Sequence, residues 1–131
     1  SKVKNWSSNY FAVCWRPVIE FLHKKTNFSF GKDIRHANTM FSRMKGLMFS
    51  KEMIGDGLIL DPGNSIHNCF VRFPIDVIFL NNDFKIIKIL RSFKPWRFSW
   101  IYFKATKVLE LPEGKIPFDV IEGDYLEVRG V

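Results

Sequence analysis

The run Ser65-Ile66-His67-Asn68-Cys69-Phe70-Val71-Arg72-Phe73-Pro74-Ile75-Asp76-Val77-Ile78-Phe79-Leu80 sets a His, a Cys, an Arg and an Asp into core-forming sequence. Polar groups in such a place must be hydrogen-bonded, paired or functional, because burying them alone costs on the order of several kcal/mol. The run divides into two extended segments at Arg72-Phe73-Pro74, since proline cannot donate to a ladder and belongs at a strand start or a bend. Asn81-Asn82-Asp83 then forms a hairpin connection into Phe84–Leu90. Lys85, Lys88 and Arg91 recur every third residue, as on a helix face, but the short turn and the β-branched Ile86, Ile87 and Ile89 favour a strand.

Working upstream, Leu58-Ile59-Leu60 reads as a buried strand between the turns Gly55-Asp56-Gly57 and Asp61-Pro62-Gly63. Thr39 is placed to cap a short helix over Met40–Met44 that Gly46 stops, and Ser50 to cap a further turn through Met53. Asn27-Phe28-Ser29-Phe30 alternates before Gly31, and Ile34–Ala37 is a second extended piece. From Asn9 to Lys25 the apolar residues have roughly helical spacing, which places a short helix after Trp15 with Pro17 in its first turn. Trp6, Tyr10, Phe11 and Trp15 beside basic residues also suit an interfacial anchor. Downstream, residues 91–104 form a long aromatic and basic connection. Lys107–Leu111 is a strand, Ile116–Val120 a brief turn, and Tyr125–Arg129 a final strand after Glu122-Gly123-Asp124.

The 131 residues fit one domain. The net charge of +7 is uneven: residues 1–60 hold ten Lys/Arg against four Asp/Glu, residues 61–131 ten against nine. No acid lies between Phe84 and Leu109, so Lys85, Lys88, Arg91, Lys94, Arg97, Lys104 and Lys107 form a basic run. Such a run is either a solvated face or an attractor of nucleic acid, an anionic envelope surface or an acidic protein. Cys14 and Cys69 make no disulfide framework and no metal spacing, and their redox state stays open. No stretch reaches the roughly 18 apolar residues of a membrane span. The expected location is cytoplasmic, with envelope association the alternative if a leader has been removed.

Asp76 is the sharpest site candidate. It faces away from Ile75 and Val77, and Arg43 and Arg72 are its candidate partners, since a guanidinium pairs bidentately with a carboxylate. Such a pair is either architectural or the floor of a polar pocket. His67 and Cys69 share one face of an extended segment, where a structural His and a core Cys compete with a general base and a thiolate pair. A metal site would need three ligands from His23, His36, His67, Cys69 and Asp76, and nothing in the sequence brings them together, so no metal or cofactor is expected. Trp96 and Arg97, beside Pro95, make either a stacking platform with an anion contact or a lid over the core. No GxGxxG, GKS/T or GxSxG motif supports a nucleotide-dependent enzyme or a serine hydrolase.

Taken in order, several pieces resemble the uncharacterised bacterial and archaeal family DUF192. They are Ser42-Arg43-Met44-Lys45-Gly46-Leu47-Met48, Gly57-Leu58-Ile59-Leu60, Ser65-Ile66-His67 and Arg72-Phe73-Pro74-Ile75-Asp76-Val77-Ile78-Phe79-Leu80. Lys94-Pro95-Trp96-Arg97, Val108-Leu109-Glu110-Leu111-Pro112 and Gly123-Asp124 complete the set, which spans about residues 26–129. Val71 and Asn68 stand where the family usually has Met and Thr, and Gly63 where one subgroup carries a Cys, which weakens a paired-thiol site. The resemblance implies a compact, mostly antiparallel β fold, and for some relatives a place near pilus or secretion machinery.

The expected class is therefore α+β, mainly β: a mostly antiparallel sheet or partly open barrel with one to three short helices. Residues 1–25 are read as an extension with a short helix and 26–131 as one DUF192-like domain. The expected function is a non-enzymatic binding or accessory module, its cleft drawn from Arg43, His67, Arg72 and Asp76 and lidded by Trp96 and Arg97. Its partner would be an anionic or saccharide ligand or an envelope-associated protein. The alternatives are a small hydrolase or lyase using His67 and Asp76 as acid and base, and nonspecific nucleic-acid binding through the 85–107 basic run.

Overall fold

The computed structural model describes residues 18–37, 55–65 and 73–130. Seven strands follow one another within them: β1 (Val18–His23), β2 (Ile34–Ala37), β3 (Gly57–Leu60), β4 (Ile75–Leu80), β5 (Ile86–Phe93), β6 (Lys107–Pro112) and β7 (Leu126–Gly130). They form one sheet in the order β5-β4-β6-β3-β2-β1-β7. Every neighbouring pair is antiparallel except the parallel pair β2–β3. The sheet curls until its two edge strands meet at one end. There Lys85 bridges Tyr125, the Ile86 N–H donates to the Asp124 carbonyl at 2.7 Å, and the Leu126 N–H donates to the Phe84 carbonyl at 2.9 Å. The result is a half-barrel.

Curling gives each strand an inner and an outer side, and alternate residues serve each. Phe21, Ile34, Ile59, Ile78, Leu80 and Leu109 belong to the inner cluster. Ile75, Val77, Phe79 and Val108 belong to an outer one, against which Phe93 and Tyr102 pack. β4 lies between β5 and β6 and is buried at every position. A strand covered on both faces needs apolar residues on both, which accounts for the nearly unbroken apolar run over 75–80. Each such side chain contributes about 1.5–3 kcal/mol by leaving water.

The hairpin from β4 to β5 is set by its own turn chemistry. Asn81 Oδ1 accepts the N–H groups of Asp83 (2.9 Å) and Lys85 (3.0 Å), and Phe84 takes φ 61° to finish the reversal. β5 begins two residues after the expected Phe84 and continues to Phe93, so the aromatic connection starts at residue 94.

Two expectations change. No helix occurs among the described residues, where one was expected. The helix placed after Trp15 is instead strand β1, from Val18 to His23. Val18 and Ile19 are β-branched, and pairing with β2 on one side and β7 on the other satisfies the backbone on both edges. That gain outweighs a loosely helical spacing interrupted by a proline. The strand expected over 27–30 reduces to a single bridge between Ser29 and Leu22, with Phe30 folded into the inner cluster. The short helices expected over 39–44 and 50–53 lie outside the described residues.

Candidate functional site

Asp76 sits in the middle of the buried hairpin, 1% exposed. Between the pairs Ile75↔Phe93 and Val77↔Leu90 the register slips, so that Arg91 and Ser92 together oppose Asp76. This is a β-bulge, and Ser92 stands at φ 54° within it. A bulge leaves a backbone amide without a ladder partner. Asp76 supplies the acceptor: its Oδ1 takes the Ser92 N–H at 2.9 Å. Its Oδ2 takes the N–H of Gly114, in the turn after β6, at 3.0 Å. The carboxylate thus ties the bulge of one hairpin to the turn of its neighbour. Arg91, displaced by the bulge, donates to the carbonyls of Ile116 and Pro117 and lies over the Phe118 ring, 4.9 Å from its centroid.

Beyond the bulge the chain leaves the sheet as the 94–104 connection. It is held at both ends. Phe93 packs on the outer cluster, Tyr102 meets the Phe79 ring at 4.6 Å, and the Tyr102 N–H donates to the Asn64 carbonyl at 2.8 Å. Between and just beyond these anchors the large side chains are presented to solvent: Trp96 is 61% exposed, Phe98 75%, Trp100 83%, Ile101 52% and, after Tyr102, Phe103 86%. Lys94, Arg97 and Lys104 are exposed among them.

A third cluster closes the half-barrel. His23, at the end of β1, is fully buried. Its Nε2 lies 2.8 Å from Asp124 Oδ2 and its Nδ1 2.7 Å from Thr26 Oγ1. Hydroxyl, imidazole and carboxylate in sequence have the atoms of a nucleophilic relay. The surroundings argue for a clasp instead. The Thr26 hydroxyl also accepts the Phe28 N–H, and Asp124 Oδ2 also accepts the Ile121 N–H at 3.2 Å. The cluster pins the turn after β1 to the turn before β7. Its hydrogen bond from His23, reinforced by the Ile121 amide against the opposing effect of burial, holds the Asp124 carboxyl below its usual value.

Of the six candidate binding residues, Arg43, His67 and Arg72 lie outside the described residues, as does Cys69. Asp76 is shut from solvent, with its oxygens on backbone amides, while Trp96 and Arg97 stand at the surface. Three cations of the basic run are engaged within the domain. Lys88 stands 3.6 Å from Glu122, Lys107 3.8 Å from Asp61, and Arg91 is engaged on carbonyls. Two features escaped the sequence reading. Glu110 is fully buried in β6, opposite Leu58 and Val77, and its position between Leu109 and Leu111 is the same signal that singled out Asp76. The His23–Asp124 pair joins residues 101 apart in the chain, with no local sign of their meeting.

These features define a small β half-barrel domain with a buried, hydrogen-bonded Asp76 inside and an aromatic, basic connection outside. The chain belongs to the DUF192 family, whose model, described as Uncharacterized ACR, COG1430, matches residues 22–128. A UPF0127 protein of Pyrococcus furiosus is 36% identical over 100 residues, covering 72% of this chain and 85% of that protein. A second, from Pyrococcus horikoshii, is 32% identical over 97 residues, covering 71% and 84%. Among solved structures, a protein of unknown function from Novosphingobium aromaticivorans superposes with a TM-score of 0.67 at 24% identity, over 84% of this chain and 83% of that one. A Sinorhizobium meliloti protein, described as a proposed transcription regulator, superposes with a TM-score of 0.68 at 22% identity, over 86% and 93%. At such identities the likeness is one of fold.

Two measurements follow from this geometry. Asp76→Ala should cost about 3 kcal/mol in urea unfolding, because two amides lose a charged acceptor. Asp76→Asn, which keeps one acceptor, should cost about half of that. Asp124, with its folded pKa depressed, contributes stability that is fully present above its unfolded value of 3.8 and lost as pH falls through the lower folded value. Asp124→Asn should therefore be less stable than the wild type at pH 7, yet lose less stability on acidification below that value. Parallel acid limbs in the two proteins would contradict the clasp.

Proposed function

We propose that this protein is a non-enzymatic binding module whose docking element is the 94–104 connection. One observation carries the reading: five large apolar side chains stand in solvent on a stretch whose two ends are fixed to the outer cluster. Apolar patches of this kind on a small domain usually mark an interaction site, and an anchored base lowers the ordering cost of binding. Trp96 and Arg97, among the candidates named from sequence, belong to this element.

Two other readings draw less support. An acid–base enzyme built on His67 and Asp76 needs a carboxyl that substrate can reach, whereas Asp76 is buried and engaged on amides. Nucleic-acid binding through the whole basic run needs its cations on one surface, whereas Lys88 and Lys107 neighbour acids and Arg91 serves the 116–118 turn. The description of the Sinorhizobium neighbour keeps short DNA among the ligands to try.

A thermal-shift screen tests the module. Wild type and the double variant Trp96→Ala/Trp100→Ala would be compared against sugars, nucleotides, acidic peptides and short DNA. A saturable ligand should raise the wild-type Tm by linkage, about 2.7 kcal/mol of stabilisation at a hundredfold excess over Kd, and leave the variant unmoved. A ligand that shifts both proteins equally would place binding elsewhere.

A further inference from the structure

We infer that the surface this docking element meets is an anionic lipid bilayer, with the 94–104 connection lying in the headgroup layer; the inference rests on that element being the binding site. Its chemistry distinguishes a bilayer from a protein partner. The centre of a protein–protein interface excludes lysine and is built from aromatics and Arg. Here Lys94, Arg97 and Lys104 alternate with Trp96, Phe98, Trp100 and Phe103, with no acid between Phe84 and Leu109. Trp with Lys and Arg is the composition of membrane–water boundaries, where the rings sit at headgroup depth and the cations face lipid phosphate.

The backbone agrees. Residues 94–104 form no helix and none of the seven strands, with Phe98 in a β-bridge, so the stretch is irregular backbone. That is permitted in the interfacial layer and excluded from the hydrocarbon, so insertion is shallow. The half-barrel supplies the support: Phe93 and Tyr102 hold the stretch against the outer cluster. Charge adds the lipid preference. The protein carries +7, and three of its cations lie within the stretch itself, so an anionic surface attracts it and salt weakens the attraction.

Flotation with lipid vesicles tests this on the full chain. Wild type would be mixed with vesicles of phosphatidylcholine alone and of phosphatidylcholine with phosphatidylglycerol. It should float with the anionic vesicles and less so as salt rises. Trp100→Ser/Phe103→Ser should lower partitioning about tenfold or more. The triple variant Lys94→Gln/Arg97→Gln/Lys104→Gln should remove the preference for anionic over neutral lipid. Phe118→Ser, at a site equally exposed but outside the connection, should float like wild type. All of these changes are at exposed positions, and an unchanged Tm confirms folding. Wild type that stays with the soluble fraction overturns the inference, as does a loss in Phe118→Ser equal to that in the double variant. A vesicle-negative protein that still binds a peptide or DNA through Trp96 and Trp100 loses the membrane but keeps the binding module. One with neither response loses both.

Discussion

A carboxylate inside a doubly buried strand is costly without partners, and the arrangement of this end of the sheet follows from how Asp76 finds its own. Donors at fixed positions satisfy such oxygens. Two backbone amides do so with geometry, and geometry has consequences for the chain around it. The Ser92 amide is available because β5 bulges, and the Gly114 amide because the chain turns just after β6. With the bulge, Arg91 reaches the carbonyls of the 116–117 turn, and the strand bends before it ends at Phe93. One buried group thus ties the end of β5 to the connection after β6. It also fixes the point from which the aromatic connection departs.

How much of this was legible depends on the range of each interaction. The β4–β5 hairpin was visible because its causes are local: an Asn at the turn, β-branched residues after it, an apolar run before it. β6 and β7 were visible for the same reason. β1 was misread because its determinants are distant. Leu22 pairs with Glu127, and Val18 with Arg35, so a window around Pro17 contains none of the partners that make the segment extended. Over Val18–His23 the helical spacing of Val18, Phe21 and Leu22 had the weaker claim on the backbone.

The site divides in the same way. That Asp76 required partners followed from its neighbours Ile75 and Val77, but that the partners were amides at 92 and 114 did not, because backbone groups have no signature in sequence. The same reasoning applied to Leu109-Glu110-Leu111 would have marked Glu110. Trp96 and Arg97 were readable as a stacking platform or a lid, and both side chains are exposed. Phe93 and Tyr102 pack on the outer cluster, and Trp96 and Arg97 stand in the exposed stretch that follows Phe93.

The two clusters also bear on where binding can occur. The inner side of the half-barrel is occupied by its own large side chains, Phe21, Ile78, Leu80 and Leu111 among them, all nearly inaccessible. Opening that interior to a ligand would mean removing close-packed side chains, each worth about 2–5 kcal/mol when truncated. The described outer face is covered in part by Phe93 and Tyr102. Recognition is therefore directed to the connections, where side chains are available without disturbing either cluster. Of the described connections, the one between β5 and β6 joins apolar area to positive charge on a fixed base. A sheet with two packed clusters and a buried Asp76 tied to backbone amides serves as the scaffold, and the chemistry of contact is left to an exposed connection.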